Sequence, residues 1–122
     1  MQPRRSKLLF VCSRNRWRSP TAERVFAHSP AFEVRARGLS ASAARRLSIS
    51  DVAWADVIFV MESDHKRQLV RLFRGELAGR PVHVLNIPDD YQFMDPELVD
   101  LLTAGVEAAL GPLGPASGGP TE

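Results

Sequence analysis

A cysteine and an arginine six positions apart are the residues of this chain best suited to chemistry. They lie in Val11-Cys12-Ser13-Arg14-Asn15-Arg16-Trp17-Arg18-Ser19-Pro20, a segment that holds the only cysteine of the sequence. A thiolate is a strong nucleophile, and an arginine guanidinium can hold two oxygens of a phosphate at once. The pair therefore indicates attack of sulfur on the phosphorus of an anionic substrate.

The residues around this pair predict a loop between a strand and a helix. Lys7 to Val11 form a short apolar run that is typical of a buried strand. Ser19 is the predicted N-cap and Pro20 the first residue of a helix that runs to Ala27. Loop amides and the positive end of a helix converge at such a place and bind anions. The alternative is an unreactive buried cysteine beside a solvated basic loop, and the flanking elements favour the anion site.

The rest of the chain predicts an α/β domain. Further strands are predicted over 32–36, 56–61 and 81–87, and further helices over 51–54, 64–73 and 96–110, with a weaker helix signal over 43–47. Strands that alternate with helices predict a four-stranded parallel sheet flanked by helices on both faces, with the phosphate loop after the first strand. Such sheets bind ligands at the carboxyl ends of their strands, where the loops of Cys12 and Asp89 both fall.

Two of the predicted helices have recognisable starts and apolar faces. Ser63 is the predicted cap of helix 64–73, and Asp95 with Pro96 is the predicted start of the last helix. The side chains expected to be buried are Leu69, Val70, Leu72 and Phe73 in the first, and Leu98, Leu101, Leu102, Val106 and Leu110 in the second.

Composition limits the class of protein. The 122 residues suit one domain over 1–111, followed by a Gly- and Pro-rich tail over 112–122 that we expect to be disordered. A net charge of +2 does not by itself argue for a nucleic-acid or membrane partner. One cysteine excludes an internal disulfide and fits the cytoplasm. His28, His65 and His83 lack metal-ligand spacing, so they are predicted to be surface or strand-end residues, and no metal is expected.

The pattern Cys12-x-x-Asn15-x-x-Arg18-Ser19-Pro20 resembles the phosphate loop of the low-molecular-weight protein tyrosine phosphatases. The similarity continues over 21–26, which resembles the first helix of that family, and over 56–62, which resembles its central strand with the following Met-acid pair. Residues 87–91 resemble its late acid loop. The resemblance implies a cytoplasmic hydrolase that needs no metal or other cofactor and cleaves phosphomonoesters through a phosphocysteine intermediate.

The resemblance also implies roles for individual residues. Cys12 would be the nucleophile, Arg18 would hold the phosphoryl oxygens, and Asp89 would protonate the leaving oxygen and later activate water. Ser19 would hydrogen-bond the thiolate, and Asn15 would brace the loop. The phosphate-binding residues would be Ser13, Arg14, Asn15, Arg16, Trp17, Arg18 and Ser19.

The substrate wall is where this chain departs most from that family. Tyr91 and Trp17 are the expected walls, with Trp54 as a further candidate because the segment between Gly38 and Asp56 is short. Asp90 stands where the family usually has proline, so either Asp89 or Asp90 is the acid, and the register favours Asp89. Ala36 stands where a loop-bracing serine is common.

Two other functions use the same loop. One is arsenate reduction with an external thiol, since a single cysteine leaves no internal thiol relay. The other is a non-catalytic module that binds phosphate groups. In each case the expected partner is a phosphorylated or phosphate-like molecule, phosphate-like oxyanions should inhibit, and neither a membrane nor nucleic acid is expected. The basic residues over 65–74 are expected to form a solvated helix face.

Overall fold

The chain folds around a four-stranded parallel sheet. The computed structural model describes residues 5–111. The strands stand in the order β2-β1-β3-β4, and every neighbouring pair is parallel. Their bounds are β1 (Ser6–Cys12), β2 (Phe32–Gly38), β3 (Val57–Val60) and β4 (Val82–Val84). The α/β sheet predicted from the sequence is confirmed; the tail predicted over 112–122 lies outside the described residues.

Helices cover both faces of the sheet, also as predicted. They are α1 (Arg18–Phe26), α2 (Ile49–Trp54), α3 (Ser63–Leu77) and α4 (Pro96–Leu110). Side chains of α1 and α4 share one core cluster with Leu8 and Phe10 of β1, and those of α2 and α3 share another with Leu9 and Val11. These four β1 side chains are fully buried, because alternate residues of a strand point to opposite faces and helices cover both faces.

The strand order places the start of the phosphate loop at a switch point. From β1 the chain crosses to β2 on one side of it, whereas β3 pairs with its other side. Crevices that bind ligands form where crossovers diverge in this way, outside the carboxyl ends of the strands. Cys12 is the last residue of β1, and Glu62 lies between β3 and α3. The loops after the two central strands therefore meet at the same edge.

Helix α1 begins earlier than predicted. Trp17, not Ser19, is its N-cap residue, and it makes no side-chain capping bond. The hydroxyl of Ser19 is instead bonded to Cys12 and Asn15. Pro20 still lies in the first turn, where its missing N–H costs no helical hydrogen bond.

The short helix signalled over 43–47 does not form. The backbone there extends the sheet edge: the N–H of Gly38 donates to the carbonyl of Arg45, and the N–H of Leu47 donates to the carbonyl of Gly38. The N–H of Ala44 donates to the carbonyl of Arg14 in the phosphate loop. These pairings replace the bonds that a helix would have made.

Helices α2 and α3 begin with capping boxes. Ser48 caps α2, and its hydroxyl and backbone exchange hydrogen bonds with Asp51. Glu62, rather than Ser63, caps α3, and the partner of its backbone N–H is the Nδ1 atom of His65. The prediction that His65 lies at the surface was wrong, because it is only 5 % exposed.

The apolar faces of the last helices are narrower than predicted. In α3, Leu69 is buried but Val70 and Leu72 are exposed, and Phe73 lies at a kink with φ −130°. In α4 the buried residues are Leu98, Leu102 and Val106, at i, i+4 and i+8. The other two side chains predicted to be buried there, Leu101 and Leu110, are exposed. In each helix a single stripe of side chains at i, i+4 spacing therefore packs into the core cluster on its side of the sheet.

Candidate active site

The sulfur of Cys12 lies buried at the turn of the loop with two hydrogen-bond donors beside it. The backbone N–H of Asn15 points to Sγ at 3.2 Å, and Oγ of Ser19 lies 3.0 Å from it. The loop reverses at Asn15, whose φ of 56° falls in the left-handed region that asparagine tolerates better than most residues. An amide and a hydroxyl at these distances stabilise a thiolate better than a thiol.

Asn15 joins Ser19 to a charged side chain behind the loop. Its Nδ2 donates to Oγ of Ser19 at 2.8 Å, and its Oδ1 accepts from Nε of Arg45 at 3.1 Å. The guanidinium of Arg45 is itself held by both carboxylate oxygens of Glu23. Ser19 accepts from Asn15 and has one proton to donate, for which Sγ of Cys12 at 3.0 Å is a nearer acceptor than the carbonyl of Arg37 at 3.4 Å.

The segment after β2 supports the loop from behind. The N–H groups of Leu39 and Ser40 donate to the carbonyls of Cys12 and Ser13 at 3.0 and 2.8 Å. Gly38 allows this approach, because a Cβ there would lie 2.7 Å from the carbonyl oxygen of Ser13. Because these carbonyl oxygens are already hydrogen-bonded, the N–H groups of the loop are the backbone groups available to bind an anion.

Arg18 is held in place by the loops after β3 and β4. Its Nη1 donates to Oε2 of Glu62 at 2.5 Å and to the carbonyl of Ile87 at 2.8 Å. Its Nε lies 3.7 Å from Oδ1 of Asp89. The side chain of Arg18 is 4 % exposed, whereas those of Glu62 and Asp89 are 43 % and 60 % exposed. The guanidinium is thus fixed on one side, while Nη2 makes no hydrogen bond within residues 5–111.

His65 supports Glu62, and its surroundings disfavour the positively charged imidazolium. Burial lowers the pKa of His65 below its ordinary value, and the positive charge of Arg18 lowers it further. The neutral imidazole accepts the backbone N–H of Glu62 through Nδ1 at 3.2 Å. A connected path therefore leads from His65 through Glu62 to Arg18.

These groups surround one cavity of about 190 Å³. Its lining residues are Cys12, Arg14, Arg16, Trp17, Arg18 and Asp89. The half-buried Trp17 carries the guanidinium of Arg16 over its ring, at 4.7 Å from the ring centroid. The cavity is smaller than the roughly 300–1,000 Å³ of sites for drug-sized ligands, and it suits a phosphoryl group.

The alternative acid and two of the three predicted wall residues lie outside that lining. Asp90 is exposed beside Asp89. Tyr91 packs on the α1 and α4 side, and its hydroxyl donates to Glu97 at 3.0 Å. Trp54 precedes β3 near the start of β1, at the opposite edge of the sheet, where Arg35 stacks on its ring.

Residues 5–111 contain no group of three or more His, Cys, Asp or Glu side chains arranged to hold a metal ion. None of the helices in this part of the chain is long and apolar enough to cross a membrane.

Sequence reasoning missed three residues that shape the site. Glu62 had a signal, because an acid directly after a central strand falls at the ligand-binding edge. His65 had a similar signal, because it follows the same strand three residues after Glu62. Arg45 had none, since its approach to Asn15 depends on how the segment after β2 folds back.

Known proteins with a similar fold are found among solved structures, although not by sequence. The sequence matches no protein-family profile and no curated protein. Among solved structures, the tyrosine phosphatase Wzb from Escherichia coli K30 in complex with phosphate is 20% identical, with a TM-score of 0.68 over 87% of this chain and 96% of that one. The low-molecular-weight protein tyrosine phosphatase SP-PTP from Streptococcus pyogenes is 21% identical, with a TM-score of 0.69 over 86% and 91%.

A third structure extends the range of substrates found on this fold. The YwlE arginine phosphatase from Geobacillus stearothermophilus is 22% identical, with a TM-score of 0.58 over 84% of each chain. All three matches cover most of both chains. The chain therefore has the fold of the low-molecular-weight protein tyrosine phosphatases.

Proposed function

We propose that this protein is a phosphomonoester hydrolase of the protein tyrosine phosphatase type, acting through a phosphocysteine intermediate. One observation carries the proposal: the sulfur of Cys12 lies within hydrogen-bond distance of the Asn15 N–H and the Ser19 hydroxyl, in a cavity that Arg18 and Asp89 also line. A nucleophile, an oxyanion clamp and an acid in one small cavity are the groups that phosphoryl transfer to sulfur requires.

The first step transfers the phosphoryl group to sulfur. The thiolate of Cys12 attacks phosphorus, the S–P bond forms, and the P–O bond to the leaving group breaks. Arg18 and the loop N–H groups stabilise the charge on the three equatorial oxygens. The protonated carboxyl of Asp89 gives its proton to the leaving oxygen, which departs as an alcohol or phenol.

The second step returns the enzyme to its starting state. The carboxylate of Asp89 takes a proton from water, the water oxygen attacks phosphorus, and the S–P bond breaks. The electron pair of that bond returns to sulfur as a thiolate, which accepts the hydrogen bonds of Ser19 and the Asn15 N–H. Inorganic phosphate leaves, and at higher concentration it and similar oxyanions compete with substrate.

Asp89 rather than Asp90 is the proposed acid. Asp89 lines the cavity and lies 3.7 Å from Nε of Arg18, while Asp90 does not line it. The position of Asp89 also favours hydrolysis over arsenate reduction and over binding without turnover, because an acid is needed where an alkoxide or phenoxide must leave. A catalytic free thiol requires a reducing compartment, so we propose that the protein acts in the cytoplasm.

The test is release of p-nitrophenol from p-nitrophenyl phosphate with a chelator present. We expect turnover by the wild type, none by Cys12→Ser, and a loss of about 10²- to 10⁴-fold in Asp89→Asn with slow-leaving aryl phosphates. Asp90→Asn is the matched control and keeps wild-type rates. Equal rates in the wild type and Cys12→Ser would refute the mechanism. Binding of phosphate without turnover would instead support the non-catalytic binding module.

A further inference from the structure

Two arginines at the mouth of the cavity have no acidic partner in the part of the chain that the structure describes. Arg14 and Arg16 are exposed, both line the cavity, and neither side chain forms a hydrogen bond or ion pair within residues 5–111. Elsewhere in that range, Arg18 pairs with Glu62 and Arg45 with a carboxylate of α1. The unpaired arginines therefore lie where a substrate enters.

The charges at this mouth do not balance. Glu62 and Asp89 lie beside the guanidinium of Arg18, so its charge is already met in part by the protein. Arg14 and Arg16 add two positive charges without such compensation. With three arginines and one carboxylate in its lining, the cavity has an excess of positive charge, which raises the local concentration of anionic ligands.

The size of the cavity decides which part of a substrate meets these arginines. About 190 Å³ holds the phosphoryl group and at most the ring that carries it. The rest of a substrate lies over the rim, beside Arg14 and Arg16. Trp17 restricts Arg16 through its ring contact at 4.7 Å, so less side-chain freedom is lost on binding.

We propose that Arg14 and Arg16 form a second anion subsite that binds carboxylates flanking a phosphotyrosine in a peptide. The inference rests on the proposed phosphatase function and names its substrate class. Guanidinium pairs well with carboxylate in two-pronged geometry, and such pairs select acidic segments. A phosphoarginine substrate is disfavoured, because its own guanidinium would face the same two positive charges.

Two phosphotyrosine peptides test the subsite, one with Asp on both sides of the phosphotyrosine and one with Asn in the same places. The measured quantity is the ratio of kcat/KM for the two peptides. For the wild type we expect the acidic peptide to be preferred by about tenfold at low salt, with the preference largely lost at high salt. In Arg14→Gln/Arg16→Gln the ratio should fall to within about twofold of one.

A matched control separates the subsite from general charge. Arg71 is an exposed arginine on α3 that does not line the cavity, so Arg71→Gln should keep the wild-type ratio. A wild-type ratio near one, or an unchanged ratio in the double variant, would overturn the proposal. If no substrate is hydrolysed, the phosphatase function fails. Titration of both peptides into Cys12→Ser then still decides the subsite, which requires tighter binding of the acidic peptide.

Discussion

Nε of Arg45 donates a hydrogen bond to Oδ1 of Asn15 at 3.1 Å, which ties the back of the phosphate loop to the segment after β2. The same guanidinium is held by Glu23 of α1. Arg45 thus orients the amide that bonds Ser19, and Ser19 lies beside the sulfur. The loop is held in shape by a side chain that does not line the cavity.

We predict that Arg45→Met lowers kcat by about tenfold, because Asn15 loses the donor that fixes its amide. KM for p-nitrophenyl phosphate should change less than kcat. The second measurement is the rate at which iodoacetamide alkylates Cys12 as a function of pH, which reports the state of the sulfur. Arg46→Met is the control, since the neighbouring Arg46 is exposed and makes no side-chain bond to the loop. Identical profiles for the two variants would contradict the role of Arg45.

We predict that Glu62→Gln lowers kcat by about 10- to 100-fold. The substitution keeps the shape of the side chain but removes the charge that anchors Nη1 of Arg18, so the guanidinium is less well oriented toward the transition state. Asp64→Asn, an exposed site that pairs with Arg67 in the same turn, should keep wild-type kcat. Steady-state kinetics with p-nitrophenyl phosphate checks both, and a change confined to KM would argue against an orienting role.

We predict that stability falls as pH drops below about 6.5, the ordinary pKa of histidine. The folded-state pKa of His65 is lowered by burial and by Arg18, so the unfolded chain binds more protons in the window between the two values. The free energy of unfolding therefore falls with decreasing pH across that window. Protonation also removes the acceptor for the Glu62 N–H.

Urea unfolding between pH 5 and 8 measures this dependence. His65→Gln should unfold with a shallower dependence on pH, while His28→Gln, at an exposed position, should follow the wild type. The same slope in all three proteins would exclude His65 as the source.

The fold could be predicted because its signals are local. The apolar run of β1 and the apolar stripe of α4 at 98, 102 and 106 reflect burial that periodicity reveals directly. The contact of Cys12 with Ser19 agrees with the resemblance in the loop motif. Other features depend on tertiary structure. The hydroxyl of Ser19 contacts the sulfur of Cys12 instead of capping α1, which begins after Trp17. The backbone over 43–47 pairs with Gly38 and Arg14 instead of forming a helix.

The close approach at Gly38 makes the shape of the active site depend on the folding of the sheet. The N–H groups of Leu39 and Ser40 continue the β1 and β2 pairing beyond the strand ends, onto the carbonyls of Cys12 and Ser13. The loop therefore has little scaffold of its own and takes its shape from the registered sheet. In a partially unfolded state with β2 detached, the thiol would remain but its cradle would not, so activity in denaturant serves as a probe of the central sheet.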